Sequence, residues 1–216
     1  LSERLIKLGH NAVVISGGGE LVKKLEAAGI KHYTLPVGKK DPFTILRMIP
    51  AVCRILRSEK ADILHARSRV PAMIGYYAAR RAGVVFITTC HGYYSKKPFS
   101  KVMGWGKYVI AISQVIAKHM MDSFKVPYRR IKLIYRGVNL ERFRFKEPDE
   151  SVKSDYTIGI IGRLTPLKGH AYFFRAAAKA LKYFPRLKVL VVGDASPGKE
   201  RYRQELQDTV RRLGLE

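Results

Sequence analysis

The chain alternates short apolar runs with longer segments in which apolar residues return every third or fourth position. The apolar, β-branched runs predict strands over Asn11–Ser16, Lys31–Leu35, Ala61–His65, Val84–Thr89, Lys107–Ile112 and Ile131–Tyr135. The helically spaced segments between them predict helices over Glu20–Ala28, Phe43–Ser58, Pro71–Ala82 and Gln114–Asp122. Ser113 is placed to cap the last of these, and Pro50 to bend the second. Leu1, Leu5 and Leu8 share a helical face and Gly9 follows as the stop, so the chain is expected to begin inside a helix. Continuously apolar strands with helices between them predict a parallel sheet covered on both faces, an α/β fold.

The alternation lapses from Asn139 to Asp155, a charged run with one proline. It resumes with a strand expected over Tyr156–Ile161, a loop at 162–168, a helix over Gly169–Phe184, a strand over Leu187–Val192 and a helix from about Lys199. This division predicts an N-terminal domain over 1–140, a linker over 141–155 and a second doubly wound domain over 156–216. Arg203–Leu213 reads as a helix that Gly214 would cap, with no closing element after it. The second domain is therefore expected to be incomplete, and the first strand of the N-terminal domain to be missing.

Composition narrows the partners. Of the 216 residues 47% are hydrophobic, which supports a sizeable core and excludes a disordered basic tail. The longest apolar stretch, Val70–Cys90, is broken by Arg80 and Arg81, short of the roughly 18 residues of a membrane helix. Cys53 and Cys90 are too few for a disulfide framework and fit a reducing compartment. The formal charge is +24, and residues 1–140 carry +18 of it. Between Ile63 and Arg136 there are 14 basic side chains and one acid, Asp122. Such a surface faces an anion. Nucleic acid, anionic lipid and phosphorylated substrates all satisfy the charge alone.

The strongest chemical pattern is the segment Gly162-Arg163-Leu164-Thr165-Pro166-Leu167-Lys168-Gly169, between a predicted strand and a predicted helix. Open α/β sheets bind ligands at this position, outside the carboxyl ends of the strands. The helix N-terminus offers unpaired N–H groups, and Arg163 and Lys168 add a fork and a point charge suited to a diphosphate. The competing reading is an ordinary loop with two solvated cations. Neither a P-loop nor a G-x-G-x-x-G fingerprint occurs, and no metal ligands cluster along the sequence.

Ile160–His170 strongly resembles the nucleotide-sugar loop of the family 4 retaining glycosyltransferases. Further pieces match in order: Gly9-His10, Thr89-Cys90-His91-Gly92 against T-x-H-G, Val109–Ser113 against V-I-A-x-S, and Ile134–Phe143 against I-x-N-G-V-D-x-x-x-F, with Arg136 in place of the frequent Asn. The resemblance covers nearly the whole chain. It implies a GT-B architecture of two Rossmann-like domains, the N-terminal one for the acceptor and the C-terminal one for a nucleotide-diphosphate sugar. It implies sugar transfer with retention, no cofactor beyond that co-substrate, and no metal. It also implies that the first strand precedes Leu1 and an acidic sugar-binding stretch follows Glu216, so this piece alone is expected to have little activity.

By the same resemblance, His91 is the catalytic histidine, and Gly162, Arg163, Lys168, Gly193 and Asp194 bind the donor; Asp194 reads equally as a helix cap. Arg67, Ser68 and Arg69 follow a strand and suit an anionic acceptor, or form a plain helix-start loop with exposed cations. Tyr93, Tyr94, Lys96, Lys97 and Trp105 lie in an aromatic and basic stretch suited to an anionic bilayer surface, though such rings also stack on single-stranded bases. The expected setting is envelope glycan assembly, such as lipopolysaccharide, by a cytoplasmic enzyme peripheral to the inner face of the plasma membrane. Two alternatives remain. One is a nucleic-acid-binding module, which has charge but no recognition motif in its favour; nucleic acid is accordingly not expected as a partner. The other is a nucleotide-sugar epimerase or phosphorylase on the same fold.

Overall fold

The computed structural model describes residues 1–147, 156–195, 198 and 200–215, so the expected linker at 141–155 falls partly outside the described residues. The chain divides into two compact units, Leu1–Asn139 and Leu140–Glu216.

In the first unit, helix α1 (Ser2–Lys7) leads to β1 (Val13–Ser16), α2 (Leu21–Ala27), β2 (Lys31–Thr34), α3 (Pro42–Ser58), β3 (Ile63–Ala66) and α4 (Arg69–Ala82). Then follow β4 (Val85–Cys90), a 3-10 helix at Pro98–Gly104, β5 (Tyr108–Ala111), α5 (Gln114–Phe124), a second 3-10 turn at Tyr128–Arg130 and β6 (Ile131–Leu133). Strands β3-β4-β5-β6 form one parallel sheet in that order, and β1-β2 a separate parallel pair. All four strands of the larger sheet point the same way, so their carboxyl ends share one edge. The residues after β3, β4 and β6 are brought to that edge.

Helix α3 runs unbroken through Pro50. A proline removes one hydrogen bond from a helix interior. Here the apolar stripe Met48, Ile49, Val52, Cys53 and Leu56 is buried against Val70, Ile74 and Ala78 of α4, and that burial holds the helix together. Asp41 caps α3 by accepting from the Thr44 amide at 2.7 Å, and Ser113 caps α5 by accepting from the Ile116 amide at 3.3 Å. Small residues let α4 lie close on the sheet: a Cβ at Gly75 would stand 3.0 Å from Leu64 and 3.2 Å from Phe86. A second apolar cluster joins Phe86, Cys90, Val102, Met103, Val109, Ile116 and Met120. The stretch at 93–105 is thus not a simple loop. Its 3-10 turn drives Val102 and Met103 into the core, while Thr88 Oγ1 donates to the Met103 carbonyl at 2.6 Å.

In the second unit, β7 (Thr157–Ile161) pairs in parallel with β8 (Lys188–Val192). Helices α6 (His170–Leu181) and α7 (Glu200–Arg212) pack through Phe174 and Leu206, with Leu164 beside them.

Candidate active site

The carboxyl edge of the larger sheet gathers three basic side chains. His91 follows β4 directly and is half-buried. Arg67 follows β3, and its Nε donates to His91 Nε2 at 3.1 Å. Arg136 lies just beyond β6, where the Ile134 amide extends the pairing to the Ala111 carbonyl, and its Nη2 stands 3.3 Å from His91 Nδ1. A neutral imidazole has one lone-pair nitrogen and one N–H, so in either tautomer the ring can accept from only one of the two guanidinium groups. Burial, and then the positive charges of Arg67 and Arg136, pull the His91 pKa down and keep the ring neutral. Among the described residues, neither Arg67 nor Arg136 has a carboxylate within salt-bridge range.

His65, on β3, stands next to this cluster. Its Nε2 shares a 2.6 Å hydrogen bond with Thr89 Oγ1, and burial, then Arg67, then His91 pull its pKa down to about 4. Cys90, next to His91, is fully buried, and burial pushes its thiol up to about 12, which leaves it inert.

The other expected acceptor residues do not join this cluster. Arg69, the first residue of α4, turns to Ser100 Oγ at 3.4 Å and lies over the Tyr94 ring. Ser68 is the N-cap of α4 by position, with its hydroxyl making no cap bond. The expected membrane residues also separate. Tyr93 is 68% exposed and stacks on His119 with ring centroids 3.7 Å apart. Tyr94 is half-buried against the core, and its carbonyl accepts from His119 at 2.8 Å. Lys96 and Lys97 are exposed. Trp105 stands ahead of β5, 4.8 Å from Tyr76 ring to ring, and lines a groove of about 390 Å³ with Tyr76, Tyr77, Arg80, Gly104 and Arg130. That groove contains none of the three residues of the His91 cluster.

In the second unit, the Gly162–Lys168 loop and the Gly193-Asp194 loop run side by side beyond the strand ends. The Gly162 amide donates to Val192 at 2.9 Å and the Leu164 amide to the Asp194 carbonyl at 3.0 Å. Gly193 has φ +148, and a Cβ there would stand 2.0 Å from the Gly162 carbonyl oxygen. Only glycine permits this approach. Lys168 runs back over Gly162, its Cγ and Cδ 3.6 Å from where a Cβ would stand. The side chains of Arg163 and Lys168 are exposed and have no hydrogen-bond or ion-pair partner among the described residues. Asp194 Oδ1 accepts from the Ala195 amide at 2.7 Å and meets Arg203 at 3.4 Å. Its carboxylate therefore acts as a local turn cap.

A family model described as Glycosyltransferase Family 4 matches residues 1–142. The chain belongs to glycosyltransferase family 4. Its relatives include the D-inositol 3-phosphate glycosyltransferase of Segniliparus rotundus, 25% identical over 71% of this chain and 39% of that one. Another is the UDP-Gal:alpha-D-GlcNAc-diphosphoundecaprenol alpha-1,3-galactosyltransferase of Escherichia coli, 28% identical over 69% of this chain and 44% of its own. The solved glycosyltransferase of Rickettsia africae superposes with a TM-score of 0.82 at 30% identity, covering 99% of this chain and 60% of that one. The chain thus spans less than two thirds of each of these family members. With its parallel sheets and these neighbours, the fold is α/β of the GT-B type. Among the described residues no helix is long and apolar enough to cross a membrane.

His65 heads the His65–Arg69 run expected at the cleft, but nothing in the sequence marks it as a site residue. Arg136 carries a signal in the sequence, as the departure from Asn in the family's N-G-V run.

Proposed function

We propose that this family 4 protein transfers a sugar, with retention, from a nucleotide-diphosphate donor to a lipid-linked or phosphorylated glycan acceptor in envelope assembly. The observation that carries the reading is the Gly162–Lys168 loop: two cations without ionic partners among the described residues, on a strand-end turn where Gly193 lies against Gly162. In the reaction the C1–O bond to the diphosphate breaks and the acceptor hydroxyl oxygen takes the sugar carbon. The hydroxyl proton passes to the departing phosphate. Negative charge grows on that diphosphate, and fixed positive groups there lower the barrier. Arg163 and Lys168 supply them, so this reading needs no metal ion. Gly162, Gly193 and Asp194 shape the donor loop. His91, kept neutral, has one N–H to give to the substrate. Arg67 faces the acceptor, with Ser68 beside it on the strand-to-helix turn, while Arg69 turns to Ser100.

A relative that acts on a diphosphoundecaprenol-linked sugar supports the lipid-linked acceptor. On the same reading the protein works from the cytoplasm at the inner face of the membrane, with Tyr93, Lys96 and Lys97 as its exposed contacts, Tyr94 beneath them and Trp105 at a separate exposed position. Thermal shifts against UDP-, GDP- and ADP-sugars test the donor part. A ligand that binds the folded chain raises its melting point, and no shift with any of the three would overturn it.

A further inference from the structure

The His91 cluster has more hydrogen-bond donors than it can use. Arg67 and Arg136 present guanidinium N–H groups to one imidazole from two sides, at 3.1 and 3.3 Å. The ring offers one acceptor nitrogen and contributes one further N–H. Among the described residues no carboxylate pairs with either arginine. Other arginines of the same unit are spent on the fold. Arg130 donates to the carbonyls of Gly104 and Gly106, and Arg57 to that of Arg81. Arg67 and Arg136 are exposed beyond strand ends, where ligands of open α/β sheets bind.

We infer that Arg67, His91 and Arg136 form a clamp for a phosphate or diphosphate group of the acceptor, with Arg136 as its specificity-determining residue. The inference rests on the acceptor role proposed for this unit. The proposed donor cations, Arg163 and Lys168, lie on the second unit, and the clamp on the first is assigned to the acceptor's own anion. A carboxylate offers two oxygens in one plane, a phosphate three or more arranged tetrahedrally. Two forks and an imidazole N–H call for the three or more oxygens of a tetrahedral phosphate. Bound phosphate also supplies the acceptor that the cluster lacks, and its charge offsets the two cations that, after burial, keep His91 neutral.

The clamp is tested on the whole chain carrying ring-labelled histidine, by following the His91 signal during titration with inorganic phosphate, pyrophosphate, and neutral phosphatidylcholine vesicles with and without a polyprenyl diphosphate. The expected result is a shifted His91 signal and a higher titration midpoint. Arg136→Asn or Arg67→Gln should weaken binding roughly ten-fold or more. Lys168→Ala should leave the His91 response in place. A response to soluble phosphate supports a sugar phosphate as acceptor, and a response to the charged vesicles alone, lost in Arg136→Asn, supports a lipid headgroup. Silence with all three probes, or a response that neither arginine substitution weakens, overturns the clamp. No sugar donor enters the experiment, so a failure of the transferase reading would leave this result untouched, and the two can fail separately.

Discussion

Two regions of this protein are proposed to hold anions, and they are built on opposite plans. The Gly162–Lys168 loop is a local device. Its backbone is held by Gly193, its positive groups lie within one turn, and each is exposed. The Arg67–His91–Arg136 cluster is a convergent device, assembled from three strand ends and half-buried at its centre. The local device depends on backbone approach and tolerates no added atom at Gly193. The convergent one depends on long side chains meeting, and it responds to charge and pH.

The largest effect expected from this contrast is at Gly193. In Gly193→Ala the new methyl would meet the Gly162 carbonyl at a φ that side chains rarely adopt. We expect a loss of about 3 kcal/mol or more in the second unit, read by chemical denaturation, and abolished donor binding. No comparable residue guards the convergent site, so a mild Gly193→Ala phenotype would break the comparison. Lys168→Ala comes next. Donor affinity, by calorimetry, should fall ten- to a hundred-fold or so, for a lost charge-assisted contact of about 1.5–3 kcal/mol. The melting temperature should stay unchanged, because Lys168 is exposed.

Acidification separates the two sites further. The His65 pKa lies at about 4 when folded, below its ordinary value of 6.5, so the unfolded chain binds a proton first as pH falls. The His65 share of stability is complete above about pH 6.5 and is lost toward pH 4. The expected cost at pH 5 is about 1 kcal/mol, discounted for solvent access, and it should disappear in His65→Gln. The smallest effect is at Ser68. Its hydroxyl caps nothing, so Ser68→Ala should move stability by less than about 0.5 kcal/mol, against about 1 kcal/mol for Ser113→Ala, whose hydroxyl accepts from Ile116. Any loss of acceptor affinity in Ser68→Ala is then a substrate effect.

Much of the fold was legible in the chain. The predicted strands and helices recur within a few residues of their expected bounds, since a buried parallel strand has to be apolar along its length. The stop at Gly9 and the cap at Ser113 are local chemistry and were readable as such. The 93–105 stretch was not. Its aromatic and basic letters read as one exposed surface. The 3-10 turn buries Met103, sets Tyr94 under Arg69 and sends Trp105 to Tyr76. Composition does not say which rings face inward when a turn rotates the chain.

The same division holds for the functional residues. The sequence alone determined the alternating α/β order, the excess of positive charge before Arg136 and the glycine-bounded Arg163–Lys168 loop. Each of these depends on neighbours along the chain. Only the tertiary structure decided which arginines matter around His91. It turned Arg69 aside to Ser100 and carried Arg136 from beyond β6 to the imidazole. That choice follows from parallel pairing, which puts the ends of distant strands on one edge and lets side chains far apart in sequence meet there.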